Sequence, residues 1–277
     1  MPQGAETAVY GGRRARTFSA AIRDLYEGAT QYQYWHHSAL NDLRARYRRT
    51  ALGEFWIGIN LGIFVLSVGF FYGALLHLDP RTYLPYLLVG YTFWLLFSTL
   101  VVEGCQAFIE NGALLRQRRT PLSVIVLRTV DRAFMTLAHN LVVLAIGLTL
   151  LQVFPTARLV LLIPALVLWW LNAMWLTLAL GIVCARYRDV PPAILSIIQL
   201  VFLISPILWR PEDVPEALRA ITAFNPLSYF LTIVRDPVLG VDVPMLAWVV
   251  ALCITLVGWA IALVLLRNYR ARVVYWV

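Results

Sequence analysis

The chain of 277 residues contains no lysine, and all 23 of its basic residues are arginine. A P-loop needs a lysine ammonium group to bind the β- and γ-phosphates of ATP. A Schiff-base enzyme needs a lysine amine as its nucleophile. The absence of lysine therefore excludes both chemistries here. Any work driven by ATP requires a partner chain that binds ATP and Mg²⁺.

Cysteine is also scarce. Cys105, Cys184 and Cys253 are isolated from one another and lie in or beside apolar runs. Disulfide frameworks and zinc sites use cysteines at characteristic close spacings. The pair His36 and His37 lacks the glutamate partner and the spacing of a metal motif. We therefore predict no metal site and no cofactor in this chain.

Charged residues make up only 14% of the chain, whereas 60% of the residues are hydrophobic. A helix of about 20 apolar residues crosses the hydrocarbon core of a bilayer. Six segments meet this length with their flanks: 55–76, 83–108, 133–154, 159–184, 191–208 and 244–266. The sequence therefore predicts an all-α, polytopic membrane protein with six transmembrane helices within residues 51–277.

The residues before the first span divide into two parts. Residues 1–30 are polar and rich in small side chains, which predicts a mobile cytosolic N-terminus. Within residues 31–50, apolar side chains recur every four residues and arginines crowd the end. This pattern predicts a basic amphipathic helix in the headgroup region of the membrane, with a soluble leader helix as the alternative.

The arginines orient the predicted spans. With the N-terminus inside, 18 arginines lie in cytosolic segments, and the other five lie outside. Cytosolic segments of membrane proteins carry an excess of arginine and lysine. Both termini are therefore predicted to lie in the cytosol. The five external arginines are Arg81, Arg158, Arg210, Arg219 and Arg235.

A few polar residues fall inside predicted spans. Glu103 is either a functional acid or the partner of an arginine, because an isolated buried carboxylate is costly. His139, Asn140 and Asn172 are predicted to form hydrogen bonds between helices. No Ser/His/Asp set and no paired carboxylates emerge from the external links, so we predict no catalytic residue.

The link at residues 109–132 combines apolar and basic residues on the predicted cytosolic face. An apolar pair precedes an arginine cluster and Pro121, and residues 122–132 have the pattern of a short helix. This arrangement predicts a docking surface for another protein, and ordinary positive-inside charge is the alternative. The residues concerned are Leu114, Leu115, Arg116, Arg118 and Arg119.

A second charged cluster precedes the fifth span. Arg186 and Arg188 are predicted to face a partner or the headgroups. Asp189 is predicted to cap the helix, and Pro191 suits its first turn. Together with residues 109–132, this cluster forms the predicted ATPase-coupling region.

The first and fifth spans each have a stripe of mixed aromatic and polar side chains. At about 100° per residue, each stripe falls within roughly 80° of arc. Aromatic rings stack on the apolar faces of sugars, and amides exchange hydrogen bonds with sugar hydroxyls. We predict a translocation path here, with ordinary helix packing as the alternative. The stripes are Trp56, Asn60, Phe64, Ser67 and Phe71, and Gln199, Phe202, Pro206 and Trp209.

Residues 209–243 link the fifth and sixth spans and are called the gate segment below. Three prolines, Pro211, Pro215 and Pro226, punctuate this segment. Irregular backbone exposed to lipid is too costly within a membrane, so the segment must pack against protein or line a water-filled mouth. We therefore predict an ordered external gate.

Several of these features occur together in one known family. The chain resembles the membrane subunit of polysaccharide ABC exporters, of the Wzm, KpsM and TarG type, from about Leu43 onward. The most specific feature is the order of four short motifs. These are Arg188-Asp189, Ser205-Pro206-Ile207, Asn225-Pro226 and Arg235.

The resemblance implies a homodimer of six-span subunits that binds two copies of a Wzt-like ATPase subunit. It implies an interface helix at residues 31–50 and a coupling helix within residues 114–132. It also implies two short external helices at about 214–224 and 226–239, with Pro215, Asn225, Pro226 and Arg235 in the gate. Relatives often have a proline shortly after the position of Trp56, which this chain lacks.

We therefore expect a non-enzymatic permease in the bacterial inner (plasma) membrane. It would pass a lipid-linked polysaccharide, such as O-antigen or capsule, outward across the bilayer. Its expected partners are the ATPase, the lipid-linked polysaccharide and membrane lipids, and no nucleic acid. The alternatives are a permease for a drug or simple lipid, and a membrane-embedded glycosyl- or acyltransferase.

Overall fold

The computed structural model describes residues 17–48, 55–75, 77–117 and 120–277. Within these ranges the chain forms eleven α-helices, two 3₁₀ turns and no strands. The 3₁₀ turns lie at Ala157–Leu161 and Pro211–Asp213. The helices are α1 (Phe18–Thr30), α2 (Tyr32–Tyr47), α3 (Phe55–Leu75), α4 (Pro80–Glu110), α5 (Gly112–Gln117), α6 (Leu122–Leu150), α7 (Leu162–Arg186), α8 (Val190–Ile204), α9 (Glu216–Phe224), α10 (Pro226–Leu239) and α11 (Met245–Trp276).

Five of the described helices are long and apolar enough to cross a membrane: α3, α4, α6, α7 with its 3₁₀ entry, and α11. The predicted span at residues 191–208 instead forms α8, which has only 15 residues. At 1.5 Å per residue, α8 is about 22 Å long, less than the roughly 30 Å hydrocarbon core. Pro206 disfavours helical backbone at Ser205, which is extended (φ −88°, ψ 144°).

Two other boundaries differ from the prediction. Residues 122–132 are not a separate short helix but the first three turns of α6, because neither proline nor glycine interrupts the sequence before Gly147. Helix α11 continues to Trp276, well beyond the predicted end of the sixth span at residue 266. Both helices therefore extend into segments that the sequence analysis places in the cytosol.

The predicted mobile N-terminus is wrong for residues 18–30, which form α1; residues 1–16 lie outside the described ranges. The Thr17 side chain accepts a hydrogen bond from the amide of Ala20 and caps α1. Ala21, Asp24 and Gly28 recur at helical spacing and are buried on one face. That face packs against α6 and α11.

Helix α2 confirms the predicted helix over residues 32–47, and residues 49 and 50 lie outside the described ranges. Its apolar stripe includes Ala39 and Leu43, both of which are buried. Helix α2 packs mainly on α6. The apolar stripe is therefore covered by protein contacts.

Helix α4 is the centre of the bundle. It contacts α3, α6, α7, α8 and α10, and three of its aromatic side chains, Tyr83, Phe93 and Phe108, are completely buried. Because α4 contacts both α3 and α8, it is the surface on which the two predicted path stripes can meet.

Candidate functional site

The two predicted stripes meet in an aromatic cluster on α4. The ring of Phe64 on α3 stacks on Tyr91 of α4, with 3.7 Å between the ring centroids and 12° between the planes. Phe202 on α8 lies 6.3 Å from both rings and 5.0 Å from Trp94. Stacked and edge-on aromatic pairs at these separations are favourable. The cluster thus joins α3 to α8.

The other stripe residues have different surroundings. Asn60, Ser67, Phe71 and Gln199 are exposed, as is Trp56, and Pro206 is buried. The Trp209 indole donates to the carbonyl of Leu203 at 3.1 Å. Of the two predicted stripes, the structure therefore joins the rings of Phe64 and Phe202. The amide side chains of Asn60 and Gln199, on the same helices, are exposed.

The sequence prediction omitted Tyr91 and Trp94 from the path. They lie three residues apart and so on one face of α4. Two aromatic residues at this spacing were a usable signal in the sequence, and in the structure both contact Phe202.

Residues 205–209 continue from α8 without helical structure, and side chains of other helices bind their carbonyl oxygens. The Tyr83 hydroxyl donates to Leu208 at 2.6 Å. The Tyr86 hydroxyl lies 3.0 Å from the oxygen of Pro206 and 3.2 Å from that of Trp209. Irregular backbone at membrane depth requires such protein partners. Neither tyrosine was predicted to have this role.

Asn225 joins the start of α10 to the end of α8. Its amide nitrogen donates to the Ser205 hydroxyl at 2.8 Å, and its side-chain oxygen accepts from the amide of Leu227 at 3.0 Å. Asn225 is thus the N-cap of α10, with Pro226 at the first helical position, where proline is favoured. The predicted gate residue Pro215 immediately precedes α9 and is exposed.

Arg235 is only 4% exposed. Its guanidinium donates to the carbonyl of Pro206 at 2.8 Å and lies 3.8 Å from the centre of the Tyr86 ring. A Cβ atom at Gly90 would overlap the guanidinium. Next to it, burial raises the pKa of Asp236 to about 6, with the positive charge of Arg235 acting in the opposite direction. The family motifs at residues 205–207, 225–226 and 235 are therefore one contact network.

On the predicted cytosolic side, Glu103 forms ion pairs with two arginines. Arg46 of α2 lies 2.7 Å from it and Arg132 of α6 lies 2.8 Å from it. Asp42 of α2 also pairs with Arg132, at 2.9 Å, and with Arg128, at 2.6 Å. The prediction of Glu103 as an arginine partner is confirmed. The network ties α2 to α4 and α6.

The other polar residues within spans differ in their partners. Asn172 donates to Thr255 of α11 at 2.6 Å, which confirms the predicted bond between helices. His139 contacts the carbonyl of Met135 within its own helix at 2.8 Å. Asn140 is buried, and its side-chain oxygen has no partner among the described residues.

The two predicted coupling segments both reach the end of α11. In α5, Leu115 is buried, Leu114 is half-buried and the exposed Arg116 donates to the backbone oxygen of Val277. Arg186 lies over the Trp276 ring at 5.2 Å, and Arg188 donates to the Trp276 carbonyl at 3.1 Å. Arg118 and Arg119 lie outside the described residues.

The predicted capping role of Asp189 is wrong. Asp189 occupies the N-cap position of α8, but its side chain makes no capping hydrogen bond. Its backbone is helical (φ −87°, ψ −15°), whereas the backbone of a capping residue is normally extended. In addition, Pro191 and Pro192 occupy the positions whose amides a cap would bind, and proline has no N–H group.

Asp24 of α1 instead caps a different helix. Its carboxylate accepts from the amides of Leu122 and Ser123 at 3.3 and 3.1 Å, at the start of α6. Burial raises the pKa of Asp24, and hydrogen bonds from Ser123 oppose the shift. Pro121 precedes α6 and has no side chain that can cap it. No local pattern indicates this contact, because Asp24 and Leu122 are 98 residues apart.

The sequence of this chain is similar to those of known proteins. The family described as ABC-2 type transporter matches residues 37–239. The O-antigen export system permease protein RfbA of Klebsiella pneumoniae is 24% identical over 231 residues, which cover 79% of this chain and 87% of the relative. A protein of the same name from Myxococcus xanthus is 26% identical over 216 residues, 76% of this chain and 81% of the relative.

Proposed function

The chain belongs to the ABC-2 type transporter family, and we propose that it is the permease subunit of an ATP-driven exporter of a lipid-linked polysaccharide. The cargo would be O-antigen, capsule or a similar envelope glycan, moved outward across the bacterial inner membrane. The likeness to permeases named for O-antigen export supports this cargo. The chain itself would do no chemistry.

The observation that carries the proposal is the aromatic meeting point of α3 and α8. Phe64, Tyr91 and Phe202 form a continuous aromatic surface across three helices. The exposed amides of Asn60 and Gln199 lie on α3 and α8, respectively. Pyranose rings have apolar C–H faces and polar rims, so weak, repeated contacts with such a surface let a glycan slide.

We propose that α8 and residues 205–209 together make the sixth crossing. We further propose that α9 and α10 form a hairpin that enters the membrane from outside. Trp169 donates to the carbonyl of Phe230 at 3.1 Å, and Trp169 lies about 10 Å along α7 from its start. The turn between α9 and α10 borders an apolar cavity of about 550 Å³ that Phe97, midway along α4, also lines.

The opposite end of the bundle would bind the ATPase. Helix α5 and the arginines of the turn between α7 and α8 offer a basic surface there, and the absence of lysine excludes a P-loop within these 277 residues. Two copies of the permease would pair with two copies of a Wzt-like ATPase. Both termini would lie in the cytosol, and residues 31–50 would contact inner-leaflet headgroups.

Reconstitution tests this function. The permease and its partner ATPase would be purified together and placed in liposomes with a lipid-linked glycan. We expect ATP-dependent movement of the glycan across the bilayer and faster ATP hydrolysis when the glycan is present. ATP hydrolysis that is stimulated only by a drug or a simple lipid would favour the alternative, a permease for such a compound. Glycan synthesis without the ATPase would contradict the proposal.

A further inference from the structure

The inner end of α11 lies between the two segments that we assign to the ATPase contact. Helix α5 connects α4 to α6, whereas the turn at residues 187–189 connects α7 to α8. The chain therefore gives α5 no direct link to α8, the helix that carries Gln199 and Phe202. Contacts made by Trp276 and Val277 provide such a link.

The first side of the link is the turn between α7 and α8. Arg188 donates to the Trp276 carbonyl at 3.1 Å, and the Arg186 guanidinium lies 5.2 Å from the centre of the indole ring. The indole also packs on the ring of Tyr269 from the same helix, with 5.6 Å between the ring centroids. Trp276 is thus contacted by both arginines, by Arg188 at its backbone carbonyl and by Arg186 at its ring.

The second side is α5. Arg116 donates to the backbone oxygen of Val277, and a Cβ atom at Gly112 would lie 3.2 Å from the Val277 carbonyl carbon. The last carbonyls of a helix lack partners within the helix and carry partial negative charge. Arginines from two separate segments satisfy this charge, and the small size of Gly112 permits the close approach.

We propose that Trp276 is a positioning residue that, together with Val277, clamps the turn between α7 and α8 to α5. A push by the ATPase on α5 would then reach α8 through the end of α11. This role rests on the proposed function, since it presupposes an ATPase at α5. The family match ends at residue 239, so Trp276 and Val277 lie outside the part of the chain that the family describes.

The test compares Trp276→Ala with Tyr275→Ala. Tyr275 is the adjacent aromatic residue and is 86% exposed, so it is a matched control. Amide hydrogen exchange would be measured on the permease, at Tyr187 and Val190, whose amides donate to Val183 and Tyr187. We expect Trp276→Ala to speed this exchange about tenfold, because local opening becomes easier. Equal exchange in the two variants would overturn the clamp.

The second measurement is the amount of glycan moved per ATP hydrolysed by the full complex. We expect Trp276→Ala to lower this ratio several-fold while the ATPase still copurifies, and Trp276→Phe to restore most of it. Faster exchange with an unchanged ratio would overturn the coupling role. If the wild-type permease binds no ATPase, the proposed function and the coupling role both fail, but the exchange comparison still decides whether Trp276 holds the turn.

A second pair of variants separates the carbonyl contact from the ring contact. Arg188→Gln removes the charged donor to the Trp276 carbonyl, and Arg272→Gln changes an exposed arginine of α11. We expect only Arg188→Gln to speed exchange at Val190. The same response from both variants would mean that loss of positive charge, and not the clamp, governs the turn.

Discussion

The guanidinium of Arg235 on α10 donates a hydrogen bond of 2.8 Å to the carbonyl of Pro206, 29 residues earlier in the chain. Pro206 stands where α8 gives way to extended backbone. The bond therefore fastens α10 to the end of α8. Movement of α10 relative to the end of α8 must break this bond.

Replacement of Gly90 by alanine tests this contact from the side of α4. Alanine normally stabilises a helix by up to about 1 kcal/mol relative to glycine. At Gly90 the added Cβ would overlap the Arg235 guanidinium, so we expect Gly90→Ala to lower the melting temperature of the purified permease. The control is Gly62→Ala, because a Cβ atom there meets nothing within 4 Å. A Gly90→Ala variant as stable as Gly62→Ala would refute the close packing.

Asp236 should make stability depend on pH. Its pKa rises from 3.8 to about 6 in the folded chain, because burial disfavours the charged form. Between about pH 4 and 6 the unfolded chain is ionised while the folded chain keeps its proton, so stability falls as pH rises. At neutral pH, the unfolding free energy of Asp236→Asn should therefore exceed that of wild type by on the order of 2 kcal/mol. The variant should accordingly melt at a higher temperature.

The pH control is Asp213→Asn, which changes an exposed acid in the same segment. The advantage of Asp236→Asn should disappear below about pH 4, where both forms of the wild-type residue are protonated. A constant difference across this pH range would show that ionisation of Asp236 is not the cause.

Glu103→Gln tests the ion-pair network at the predicted cytosolic end of α4. The variant leaves Arg132, whose side chain is only 14% exposed, with Asp42 as its remaining carboxylate partner. Loss of a charged hydrogen-bond partner in a partly buried site costs about 1–3 kcal/mol. Thermal unfolding should show this loss, and Glu110→Gln, an exposed acid on the same helix, should show almost none.

Asp24→Ala tests the cap that α1 supplies to α6. Removal of a capping side chain costs about 1 kcal/mol. The amides of Leu122 and Ser123, which Asp24 binds, should then exchange hydrogen faster. Glu27→Ala, an exposed acid on α1, serves as the control. Unchanged exchange at the start of α6 in Asp24→Ala would exclude a capping role.

Phe202→Ala and Phe64→Ala should impair glycan export more than they impair assembly with the ATPase. Both remove rings from the aromatic cluster on α4. Phe70→Ala, which removes an aromatic ring that is 63% exposed on α3, is the control. Export would be measured as surface glycan in cells and normalised to the amount of complex. Equal losses of export and assembly would assign the cluster to packing alone.

Local patterns in the sequence were sufficient for some of the helices. The four-residue repeat that contains Ala39 and Leu43 predicted α2. The pairing of Glu103 with an arginine was one of two alternatives, and it followed from the cost of an unpaired buried carboxylate. Both inferences depend only on neighbours in the chain or on the cost of burial. The bounds of α9 and α10, within two residues, instead came from the family resemblance.

The failures involve distant partners or details of the backbone. Asp24 reads as an ordinary polar residue, and only the fold places it at the start of α6, 98 residues away. Asp189 has the right position for a cap, but its dihedral angles and the two following prolines prevent the bond. Tyr83 and Tyr86 look like interfacial aromatics until the unpaired carbonyls of residues 205–209 are seen beside them.

The shortness of α8 has a consequence for the surrounding lipid. The 15 helical residues of α8 fall about 8 Å short of a typical hydrocarbon core, so in the proposed crossing the non-helical residues 205–209 cover the remaining distance. Such backbone is tolerated at membrane depth only while protein groups bind its carbonyl oxygens, as Tyr83, Tyr86 and Arg235 do. We therefore expect export in liposomes to depend on acyl-chain length, because a thinner bilayer leaves less of this non-helical backbone at membrane depth.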